Sequence, residues 1–147
     1  MNLDFDATYE IQDASQRYLD IKNIFKKFAD SLVSQTSNNT GFVGLTIEPK
    51  LNEDHILASI GQIKIRCQLV TYLSIDNRLE GLIVFLREHL VDRDELIKLG
   101  SINFNQNGDL DCNLKNSTRV CNLYSQAEFV LMHYFKIALS IDVDKLI

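Results

Sequence analysis

Ile11, Ala14, Tyr18, Ile21, Phe25, Phe28 and Leu32 recur at alternating steps of three and four, which places all of them on one face of an α-helix. Water does not tolerate an apolar seam of that length, so the chain must supply a surface to bury it. Ile24, Ala29 and Val33 widen the stripe beyond the narrow seam of a coiled coil, and a broad stripe suits packing on the chain's own sheet. The spacing predicts a helix from about Tyr9 to Gln35. Asp6 or Thr8 serves as its N-cap, and Asp4, Asp6 and Glu10 complement the positive end of its dipole. Residues 1–8 are then a tail in front of it, and the polar run from Ser34 to Gly41 ends it.

After the helix the period changes to two. Ile63, Ile65, Cys67, Leu69, Thr71 and Leu73 alternate with Lys64, Arg66, Gln68, Val70, Tyr72 and Ser74, the pattern of a strand with one face buried. Strands are predicted before it at Phe42–Glu48 and His55–Ile60, separated by the turn formers Pro49 to Asp54, with Gly61-Gln62 as the next turn. Beyond the turn Asp76-Asn77-Arg78 lies a continuously apolar strand, Leu82 to Glu88, suited to a central place in the sheet. A last hairpin runs from Glu95 to Asn105 and back through Asp109 to Asn113, with Asn107-Gly108 as a two-residue primed turn. Links this short allow only antiparallel neighbours.

Ser125-Gln126-Ala127-Glu128 reads as a capping box, with Tyr124 and Phe129 as its staple, so a second helix begins at Ser125. Its body is apolar around most of its circumference, which suits enclosure between the first helix and the sheet. The fold class is therefore α+β, with a long N-terminal helix, an antiparallel meander of five to six strands and a C-terminal helix packed on the sheet. Residues 1–147 form a single domain, in keeping with the chain's length.

Composition removes several function classes. Charged residues make up 24% of the chain and the net charge is -5, a poor match to a nucleic-acid groove, which needs clustered lysine and arginine. The longest apolar run, Phe129 to Ile141, is broken by His133, Lys136 and Ser140 and is too short to cross a bilayer. The first residues lack the basic and apolar regions of a secretory signal. Cys67, Cys112 and Cys121 are odd in number with no metal-binding spacing, so a reducing cytoplasm is the expected compartment.

Reagents for chemistry are scarce. His55, His89 and His133 lie in separate segments with no i, i+4 partner, although His89 with Glu88 and Asp92 forms a small ligand-type group. Neither a nucleophile elbow nor a phosphate-binding glycine loop occurs. Asp54 with Gln62-Ile63-Lys64 is a weak version of the acid and E-x-K pattern of metal-dependent nucleases, spoiled by glutamine in the glutamate position. No catalytic residue, cofactor or metal is assigned.

What remains is a non-enzymatic cytoplasmic binding protein acting through protein contact. The layout is similar to that of small bacterial accessory proteins, among them toxin-neutralising immunity proteins, inhibitors and secretion chaperones. The expected contact residues are the acids of two charged turns, Asp76 and Glu80 in one, Asp92, Asp94 and Glu95 in the other, which suit a basic protein partner. Two alternatives stand beside this reading. One is a ligand pocket or metal-dependent enzyme lined by Phe42, Tyr72, Phe85 and Tyr134. The other is a homodimer through a helix face, compatible with either.

Overall fold

The computed structural model describes residues 5–37, 41, 43–110 and 122–147. Helix α1 spans Phe5–Ser37. It is followed by strands β1 (Leu45–Lys50), β2 (His55–Ile60), β3 (Ile63–Leu73), β4 (Leu79–Glu88) and β5 (Leu96–Phe104), and then by helix α2 (Ala127–Leu139). The strands form one antiparallel sheet in sequence order, β1-β2-β3-β4-β5. This is the α+β meander that period and turn lengths predict, with five strands.

Both helices contribute to the layer over one face of the sheet. Ile56 and Ala58 of β2, Ile65, Cys67 and Leu69 of β3, Ile83 and Phe85 of β4 and Ile102 and Phe104 of β5 point into it and are buried. From α1 they meet Ile21, Ile24, Phe25, Phe28, Ala29 and Leu32, and from α2 Val130, Leu131, Tyr134, Phe135 and Ala138. Tyr134 stacks on Phe85 at 3.8 Å between ring centroids, 6° from parallel. Gly81 lies close beneath α1: a Cβ there would be 2.7 Å from Ile21 Cγ2 and 2.8 Å from Phe104 Cζ.

Several local expectations need correction. Helix α1 already includes residues 5–8, so Asp6 and Thr8 lie inside it and not at its cap. Of the predicted seam only the part from Ile21 onward enters the core. Ile11 is exposed and Ala14 and Tyr18 are half-buried, because a helix of this length, roughly 50 Å at 1.5 Å per residue, extends past what the sheet covers. Val33 is also exposed. Pro49 and Lys50 belong to β1 rather than to the turn, where proline is tolerated because β1 is an edge strand. The turn itself is a short 3-10 segment, Leu51–Glu53, closed by Asp54 in the left-handed conformation. Phe42 lies outside the described residues, and Val43 and Gly44 are in a turn, so β1 begins at Leu45, later than predicted.

The hairpin after β5 is not a primed turn. Gly108 alone has positive φ, at 79°, while the Asn107 amide donates to Asn105 Oδ1 at 2.9 Å and the Asn105 amide to the Asp109 carbonyl at 3.0 Å. That is a three-residue loop with glycine in the left-handed position. Its returning arm is visible as bridges from Phe104 to Leu110 and from Asp109 to Asn122, and 111–113 lie outside the described residues.

The start of α2 is also different. Ser125 is not its cap: Gln126 precedes the first helical residue and makes no side-chain cap. The acceptor comes from α1 instead, with the Glu128 amide donating to Gln35 Oε1 at 2.9 Å and Gln35 Nε2 donating to the Tyr124 carbonyl at 2.8 Å. One glutamine thus docks the two helices end to side and satisfies two backbone groups. Enclosure of α2 is incomplete, since Phe129 and Leu139 remain exposed.

Candidate interaction site

A candidate surface lies at the sheet end where the β3–β4 hairpin turns. Arg17 ties α1 to the root of this hairpin, donating from Nε to the Leu79 carbonyl at 2.9 Å. On the helix, residues 8–13 are exposed all round. Tyr9 is 73% and Ile11 68% exposed there. On the hairpin, Leu73 is 64% and Ile75 fully exposed. Single exposed apolar side chains are ordinary, but two elements that each carry a pair of large ones and are tied together by Arg17 offer candidates for a contact surface.

Beside them lies a cleft of about 500 Å³ between α1, the start of β4 and the hairpin after β5. Its floor is Ile21, Ile24, Phe104 and Leu110, and its rim carries Arg17, Arg78, Asp20 and Asp109. On the opposite edge of α1, Lys22 Nζ pairs with Asp54 at 3.1 Å. That hydrogen-bonded carboxylate holds the Lys22 ammonium above its ordinary pKa. Tyr18 approaches the same carboxylate.

The uncovered face of the sheet has its own apolar strip. Leu82, Val84 and Leu86 of β4 point away from the helices with Val70 of β3 and Leu57 of β2, half-buried or exposed. This explains why β4 reads as continuously apolar: one set of its side chains fills the core and the other meets this outer face.

The predicted contact acids do not converge. Asp76 is in the β3–β4 turn, and Glu80 sits at the start of β4 accepting from the Tyr72 hydroxyl at 3.1 Å. Asp92, Asp94 and Glu95 occupy the loop at the far end of β4, roughly 30 Å away at 3.3 Å per residue. There the Asp94 amide donates to Asp92 Oδ1 at 3.3 Å, and the Asp92 amide donates to His89 Nδ1 at 3.0 Å. His89 is buried and serves the loop as an acceptor.

No protein-family model, curated protein or solved structure matches the chain. Among the described residues no group of three or more His, Cys, Asp or Glu side chains is placed to hold a metal ion, and no helix is long and apolar enough to cross a membrane. Asp54 and Lys64, the two ends of the weak nuclease pattern, sit at opposite ends of the β2–β3 hairpin. Cys67 is fully buried, and burial pushes its thiol pKa far up, the opposite of what a nucleophile needs. Cys112 and Cys121 lie outside the described residues. The aromatic set proposed for a pocket divides as well: Phe85 and Tyr134 are stacked in the core, while Tyr72 is on the other face.

One buried group had no signal in the sequence. Arg87 points into the core near the lower end of α2, where Nη1 donates to the Ala138 carbonyl in the helix's last turn. The cation faces the negative end of the helix dipole, a favourable position. Its Nε has no partner among the described residues, and burial lowers its pKa. In the sequence it is only the first polar residue after an apolar run.

Proposed function

We propose that this is a non-enzymatic binding protein, of the immunity, inhibitor or accessory-chaperone kind, that acts by contact with another protein. The observation that carries the reading is the exposure of Tyr9 and Ile11 on α1 and of Leu73 and Ile75 on the hairpin to which Arg17 ties that helix. Apolar anchors ringed by charge are the usual make-up of a contact's energetic centre. Asp76 and Glu80 stand at the same junction and supply acidic rim groups toward a basic partner. The loop carrying Asp92, Asp94 and Glu95 is at the other end of the sheet, and its Asp92 is engaged in local turn bonds, so the contact is assigned to the hairpin end.

The test is purification of the tagged protein from its native host with the mass of the complex recorded. A stoichiometric protein partner is expected. The double variant Ile11→Ser with Ile75→Ser should release it while leaving the circular dichroism unchanged, and charge reversal at Asp76 and Glu80 should weaken it. Reversal at Asp92, Asp94 and Glu95 should not. A partner indifferent to the hairpin-end changes would move the site, and a chain that carries no protein at all would remove the reading.

A further inference from the structure

We propose that the cleft between α1, β4 and the β5 hairpin is a binding site for a monocarboxylate attached to an apolar body. Two independent observations point there.

The first is the floor. Most of the core is sealed: Phe28, Leu32, Ile56, Ile65 and Ile83 are 0% exposed. The four buried apolar residues with the largest remaining exposure are Leu110 at 8%, Phe104 at 7% and Ile21 and Ile24 at 6%, and all four line this cleft. The opening therefore reaches the edge of the core. Gly81 belongs to the same floor, and it leaves Ile21 and Phe104 in place of a side chain of its own. At about 500 Å³ the space is within the range of small-ligand sites.

The second is the rim, where the charges are arranged unusually. Arg17 and Arg78 both line the cleft with two carboxylates, Asp20 and Asp109, while the Glu80 side chain turns to the far face of the sheet with Tyr72, and neither guanidinium has an acid within ion-pair distance among the described residues. Each acid instead accepts from a neutral donor: Asp20 from Gln16 and Asp109 from Asn122. Arg17 spends Nε on the Leu79 carbonyl, which anchors its guanidinium at the edge of the cleft that it lines. Guanidinium groups recognise planar carboxylates through paired N–H donors. With two cations against two anions the rim is close to neutral, so it suits a single negative charge on the ligand better than the two of a phosphate monoester. A monoanion with a hydrocarbon body satisfies both the rim and the floor. Its source is either a free small acid or the C-terminal carboxylate of a peptide.

Hexanoate and hexanol, titrated against the full-length protein with amide NMR shifts as readout, test the proposal. Hexanoate should move the amides of Gly81, Asn103 and Asn105 saturably, and hexanol should bind about tenfold more weakly, the equivalent of one charged hydrogen-bonded contact. Arg78→Gln, an exposed change, should lose a similar factor with an unchanged spectrum elsewhere. Short leucine-terminated peptides with free and amidated ends distinguish the sources: tighter binding of the free-ended peptide than of hexanoate names a peptide terminus, and weaker binding names a small acid. Absence of saturable shifts, equal binding of hexanol, or indifference to Arg78→Gln would each overturn the site.

Discussion

Arg87 shows how one side chain joins strand to helix. Its guanidinium takes the place of water at the last turn of α2, so Arg87→Ala leaves a carbonyl and a cavity in the core together. A loss of about 3 kcal/mol is expected from chemical denaturation. Arg87→Met, which keeps the stem and loses only the donor, should cost roughly half as much. Gly81 is the complementary case of a missing side chain. Adding one methyl at 2.7 Å from Ile21 forces α1 away from β4, and Gly81→Ala should destabilise by roughly 1–3 kcal/mol. Because the same methyl enters the floor of the cleft, it should also weaken hexanoate binding. An unchanged melting temperature in Gly81→Ala would show that the helix yields there without cost.

Among the elements, α2 depends on a residue 93 positions away for its first turn. Gln35→Ala removes both the acceptor for the Glu128 amide and the donor to the Tyr124 carbonyl, and should cost about 1–2 kcal/mol. Ser125→Ala should lie within about 0.5 kcal/mol of the parent, as for a surface change away from any cap. The reverse ranking in paired denaturation curves would restore the local capping box. Helix α1 divides into two parts by the same kind of reasoning. From Ile21 onward its apolar stripe is held by the sheet and α2, whereas its first turns carry the same periodicity with exposed Ile11. Period alone reports amphipathicity, and it is indifferent to whether the covering surface comes from the same chain.

For the whole molecule, Cys67 is the best internal reporter. It sits on the covered face of the central strand, fully buried between Ile56 of β2 and Phe85 of β4, so no local opening of a loop exposes it. With Cys112→Ser and Cys121→Ser as background, its modification by a disulfide reagent should proceed at the rate of global unfolding. The pH dependence has a defined sign. Burial raises the thiol's pKa in the folded state, so above the ordinary thiol value of about 8.5 the unfolded chain releases a proton that the folded chain retains. Stability from this group is complete below that pH and falls as the pH rises, and Cys67→Val should flatten the alkaline part of the profile. What was legible along the chain were the properties with a local cause: the alternation of β3, the short links that impose an antiparallel meander, and the class and order of the elements. The acids of the charged turns were legible as acids, but their separation along β4 was not, since distance between turns belongs to the folded sheet. Folding alone settled the pairing of Gln35 with α2, the burial of Arg87 and the cleft beneath Arg17 and Arg78, because each joins residues distant in sequence, and such pairs leave no periodicity to read.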